Sequence, residues 1–131
     1  METRVDKIKT FNMIIEDFLK QTTPIVGTTY YYYFKKLIKA NATLPINYAS
    51  SHLLKYKDKI LSKDVSYFSD EQNYSQQLNE LGDKYSGNDI MFEILRLKEI
   101  YYKLNESSRD NVWDILQALL QLTIEYNELK N

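Results

Sequence analysis

A chain of 131 residues with 44% apolar and 27% charged side chains is long enough to close one hydrophobic core, and its composition is not that of a disordered segment. With no cysteine and one histidine, a disulfide framework is excluded and almost nothing remains for structural zinc. The net charge of -1 lacks the commonest footprint of nucleic-acid binding, yet it hides an asymmetry: residues 1–63 carry eleven Lys or Arg against five Asp or Glu, and residues 64–131 carry six against thirteen.

The amino terminus is charged and leads into a stretch broken by Lys9, Asn12, Glu16 and Asp17, so no signal peptide and no secretion are expected. No window approaches the roughly 18–20 apolar residues that a membrane span needs, and a soluble protein is expected. The first helix is predicted over residues 4–21, with Val5, Ile8, Phe11, Ile14, Ile15, Phe18 and Leu19 in one apolar stripe. Pro24 ends it near Thr23. Gly27-Thr28-Thr29 offers a cap, and a second helix follows over residues 29–40. Its consecutive Tyr30 to Tyr33 and Phe34 would suit a strand by local propensity, but Lys35 to Lys39 restore a helical pattern, with Tyr30, Tyr33, Phe34, Leu37 and Ile38 on one face.

Leu44-Pro45-Ile46 reads as a second break, and Ser50 or Ser51 as the cap of a third helix reaching Leu61. Asp64 caps a short turn holding Val65, Tyr67 and Phe68. Residues 69–87 are polar, broken by Gly82 and Gly87, and are expected to form a long loop with at most one helical turn at residues 76–81. The clearest pattern comes last. Ile90, Ile94, Leu97, Tyr101 and Leu104, then Val112, Trp113, Leu116, Leu119, Leu120, Thr123 and Ile124, describe a C-terminal helical hairpin. Ser107 with Asp110 supplies the start signal of its second arm, and Trp113 is expected in the core. The expectation is an all-α, single-domain bundle of about five helices spanning residues 1–131.

No catalytic constellation emerges. His52 has Ser50 and Ser51 beside it, but neighbouring helix positions point in different directions, and no nucleophile elbow surrounds either serine. A partly exposed helix residue is expected instead. The carboxylates Asp70, Glu71, Glu93 and Glu99 fall on predicted solvent faces rather than in one pocket. Residues 82–93 fail as a calcium loop, since Gly82 stands where the first acidic ligand belongs, and three glycines in all permit no phosphate loop. No enzyme activity, cofactor, metal or small-molecule substrate is expected. Asn41, Asn73 and Asn105 each open an Asn-x-Ser/Thr triplet, read as accidental without a secretory route.

Twelve tyrosines are an excess, although an AT-rich genome also enriches Tyr, Asn, Lys and Ile. Their rings pack while their hydroxyls reach solvent, which suits protein interfaces. Tyr31, Tyr32, Lys35 and Lys36, the aromatic and basic edge of the second helix, are the candidate contact residues. The partner is expected to be another protein or a second copy of the chain. Nucleic acid is the alternative: lysines such as Lys55, Lys57, Lys59 and Lys63 would neutralise phosphates and tyrosines would stack on bases, but arginine is nearly absent from this region. A third reading is a bundle that inhibits signalling or apoptosis through a groove for an amphipathic helix. The unequal halves either neutralise one another in the fold or present poles that favour charged partners or head-to-tail self-association.

Three segments, Lys63-Asp64-Val65-Ser66-Tyr67-Phe68, Leu97-Lys98-Glu99-Ile100-Tyr101 and Val112-Trp113-Asp114-Ile115-Leu116, resemble in order those of small helical proteins of the nucleocytoplasmic large DNA viruses. The resemblance covers residues 53–124, and at Tyr101 those proteins often carry tryptophan. It implies a non-enzymatic accessory or virion-associated protein, in the virion or the host cytoplasm or nucleus, and carries over no site residue.

Overall fold

The computed structural model describes residues 3–68, Tyr101 and residues 104–129, and the regular structure of these segments is all helical, with no strand among the described residues. The predicted hairpin's first arm and the predicted loop at residues 69–87 lie outside the described residues, apart from Tyr101 and Leu104. Six α-helices are described: α1 (Arg4–Gln21), α2 (Thr23–Val26), α3 (Thr29–Ala40), α4 (Leu44–Lys55), α5 (Lys57–Leu61) and α6 (Glu106–Glu128). A 3-10 turn, Val65–Phe68, follows α5. The all-α bundle is as expected from the sequence.

Helix α1 starts on a reciprocal cap in which the Thr3 hydroxyl accepts from the Asp6 amide while the Asp6 carboxylate accepts from Thr3. Those bonds hold the Asp6 carboxyl below its ordinary range, the Thr3 backbone N–H contributing most. Phe11, Ile15, Phe18 and Leu19 bury as the periodicity predicts, but Val5 is exposed and Lys7 is buried in its place. The charge on Lys7 is met across the bundle by Glu125 at 2.7 Å, where Arg4 also donates to the Tyr126 carbonyl and stacks on that ring.

Both prolines mark helix beginnings rather than plain breaks. Pro24 lies in the first turn of α2, and Pro45 in that of α4, where a missing N–H removes no helical bond. Helix α4 thus begins six residues before the serines assigned as caps. Ser50 and Ser51 sit inside it, their hydroxyls donating back to the Ile46 and Tyr48 carbonyls. The expected continuous helix to Leu61 breaks at Tyr56. Lys63, at φ 57°, then ends α5: the Asp64 N–H donates to the Lys59 carbonyl and the Lys63 N–H to that of Ile60, a Schellman arrangement built without glycine. Asp64 accepts from the Ser66 amide at 3.0 Å, as its capping assignment requires. Helix α6 starts ahead of Ser107, because Asn105 is a competent cap met first, accepting from the Ser108 amide at 2.9 Å.

The core lies where α6 packs on α1, α4 and α5, with α3 and α4 laid on α1. Trp113, Leu116, Leu119 and Leu120 of α6 meet Phe11 and Ile15 of α1 and Ile46, Ala49 and Leu53 of α4 within one cluster. His52, expected to be partly exposed, is buried beside them. Its Nε2 lies 3.0 Å from the Tyr67 hydroxyl, and its ring stacks on Tyr48 at 5.6 Å. Position 52 falls on the face already taken by Ile46, Ala49 and Leu53, so the imidazole is an enclosed core group.

The Lys7–Glu125 bond gives acid sensitivity a location. Hydrogen bonds from Lys7, then from Gln121, hold the Glu125 carboxyl below its ordinary 4.5. Because the folded value is depressed, the stability from this group is fully present above about pH 4.5 and is lost as pH falls through the folded value. Urea midpoints measured against pH should decline on that acid limb and decline less steeply in Glu125→Gln; identical limbs would show that the pair contributes nothing measurable.

Candidate functional site

Helix α3 meets the bundle through Phe34, which is fully buried, and through the half-buried Tyr30, Tyr31, Leu37 and Ile38. At about 100° per residue, a stripe centred on Phe34 takes in Tyr31, about 60° away, and leaves Tyr33 at about 100°. Tyr33 is accordingly 50% exposed rather than on the inner face, and Tyr32 is 60% exposed. The four candidate contact residues fall into two adjacent columns, Tyr31 with Lys35 and Tyr32 with Lys36, tyrosine and lysine standing about one helical turn apart in each. Tyr31 and Tyr32 touch edge to face at 5.5 Å, so the inner ring supports the outer one.

The lysines differ in state. Lys35 donates to Glu16 of α1 at 2.6 Å, and that bond raises its ammonium pKa above the ordinary 10.5. Both side chains are partly exposed, so the pair is a modest tether between α1 and α3. Lys36 is exposed. It borders a groove of about 590 Å³ between the two helices, which also takes Lys9, Met13 and Glu16 from α1 and Ile38 and Lys39 from α3. Met13, Ile38 and Ala42 give the groove apolar surface, and Met13 is 55% exposed.

Asn12 also lines the groove and is 7% exposed. Its Nδ2 donates to the Ala42 carbonyl at 2.9 Å, whereas its Oδ1 is buried without a protein partner. Turning the amide over would bring two oxygens together, so the carbonyl oxygen is the open acceptor. Leaving a buried acceptor open costs on the order of 1–3 kcal/mol.

The structure therefore brings the candidate residues to one edge and adds Lys9, Asn12, Met13 and Lys39 beside them. Lys39 was visible from its spacing to Lys35 and Lys36. The other three needed the approach of α1 to α3, which periodicity does not give. No metal-holding group of His, Asp or Glu occurs among the described residues, and no described helix is long and apolar enough to cross a membrane.

No family model matches the chain, and no solved structure matches it. The chain is similar to an uncharacterized protein of African swine fever virus, 25% identical over 125 residues in tick isolates from South Africa and from Malawi. In the Vero-adapted Badajoz strain the identity is 24% over the same length. Each alignment covers 92% of this chain and 91% of the viral one. The resemblance carried by residues 53–124 thus extends across most of the molecule, and the chain is similar over nearly its whole length to a protein of a nucleocytoplasmic large DNA virus.

Proposed function

We propose that this protein is a non-enzymatic interaction module that buries the α3 edge and the adjoining groove against a protein partner. The observation that carries this reading is the exposed Tyr32 ring, backed by Tyr31 and one helical turn from Lys36 on the rim of an apolar groove bordered by lysines. Aromatic anchors beside apolar surface are the common currency of protein interfaces. The similarity to a large-DNA-virus protein supports a viral accessory or virion-associated role, in the virion or in the host cytoplasm or nucleus. In the Tyr31→Ala/Tyr32→Ala double variant, partner affinity should fall by about 2 kcal/mol or more, roughly thirtyfold, with helicity retained. Unchanged affinity would remove this face from the interface.

Lys9, Lys36 and Lys39 around one groove favour nucleic acid as the second reading. It requires affinity for single-stranded DNA that falls steeply with salt, and binding that is absent or indifferent to salt ends it. A bundle that inhibits host signalling or apoptosis would use the same groove for an amphipathic helix.

A further inference from the structure

Among the described residues, charges of the two halves of the chain lie on separate surfaces as well as in pairs. Lys7–Glu125 is an ion pair joining the halves, whereas Lys35–Glu16 lies wholly within the first half. A lysine surplus stands at the α1–α3 groove, and a row of exposed carboxylates stands on α6. The groove carries Lys9, Lys35, Lys36 and Lys39 against Glu16. On α6, Glu106, Asp110 and Asp114 recur every fourth residue, and all three are exposed. They form one acidic column over about 12 Å of helix. Asn111 and Ser107, also exposed, supply hydrogen-bond donors on the same stretch.

We infer that the groove between α1 and α3 receives the acidic amino-terminal half of α6 from a second copy of this chain. The inference rests on the reading of this face as a protein interface and names its occupant. Charge complementarity selects the occupant: the groove has three positive charges in excess of Glu16, and the column presents three negative charges. The apolar surface of Met13, Ile38 and Ala42 accepts the helix flank. Because groove and column are different surfaces, the contact closes either as a two-fold dimer in which each groove holds the other copy's column or, head to tail, as a ring or a filament.

Charge reversal tests this on the full-length protein, since every residue changed is exposed. Sedimentation velocity of the native chain should show concentration-dependent association. Raising ionic strength from about 0.01 M to about 0.15 M, which shortens the Debye length from about 30 Å to about 8 Å, should weaken that association about tenfold or more. Lys9→Glu/Lys36→Glu/Lys39→Glu should be monomeric, as should Glu106→Lys/Asp110→Lys/Asp114→Lys, each with native circular dichroism. Mixing the two variants should restore association, because every groove then meets a column of opposite sign. A native chain that stays monomeric throughout, or a mixture that fails to associate, overturns the second copy as occupant. A monomer that still binds another protein through Tyr31 and Tyr32 would overturn it too, while leaving the interaction module standing.

Discussion

Replacing Trp113 by alanine is expected to destabilise the protein by about 3–5 kcal/mol and to lower its melting temperature by on the order of 10 °C. The indole is 3% exposed, and its N–H donates to the Tyr101 hydroxyl at 3.2 Å. Its ring meets Tyr101 edge to face at 5.9 Å and Tyr67 at 6.5 Å, and Tyr67 in turn touches His52 and Tyr56. This one side chain therefore ties α6 to Tyr101, to the 3-10 turn after α5 and, through His52, to α4. Alanine would leave a cavity bounded by rings that hydrogen bonds hold in place, so little collapse can offset the loss. Trp113→Phe should fall between, keeping most of the apolar contact and losing the N–H donor. A loss of less than about 1 kcal/mol in Trp113→Ala, no more than an average substitution costs, would mean that the aromatic cluster does not organise the core.

The second large effect is expected at Phe34, and it connects stability to function. Phe34 is the buried residue of α3, and the remaining contacts of that helix with the core are half-exposed rings and aliphatic chains. Phe34→Ala should cost about 3–5 kcal/mol, and the first amides to lose exchange protection should be those of α3, since local opening follows local burial. The groove loses one wall when α3 lifts, so partner binding should fall with the protection of α3. Tyr33→Ala is the matched control. Its ring is 50% exposed, and the change should stay within about 0.5 kcal/mol. Comparable losses in the two variants would place α3 differently from the arrangement described.

Helix existence was legible in the sequence wherever an apolar stripe met a strong boundary. Helices α1 and α3 follow the bounds read from periodicity, and Trp113, Leu116, Leu119 and Leu120 line the core face that their spacing assigns. The misreadings come from rules that local sequence leaves ambiguous. Proline both ends helices and opens them, and at Pro45 the second role won because α4 could lay Ile46, Ala49 and Leu53 on the core. Serine caps helices and also bonds back inside them, and Ser50 and Ser51 took the second course. Lys7 entered the interior only because Glu125 stood more than a hundred positions later in the chain, a pairing that no window along α1 contains. For the same reason the candidate edge was partly visible and the groove was not. Tyr31, Tyr32, Lys35 and Lys36 follow from the helical repeat of α3, whereas Lys9, Asn12 and Met13 join them through tertiary packing alone.

Docking of protein on the α3 edge and its groove is the proposed activity of this molecule. Its most direct test is affinity capture with the tagged full-length chain from native lysate, with and without nuclease, quantified by mass spectrometry for the native sequence and for Tyr31→Ala/Tyr32→Ala. The interaction module predicts proteins, further copies of the chain among them, that are retained after nuclease and depleted in the double variant. Loss of all recovered proteins on nuclease treatment would contradict it and put nucleic acid in the place of the protein partner.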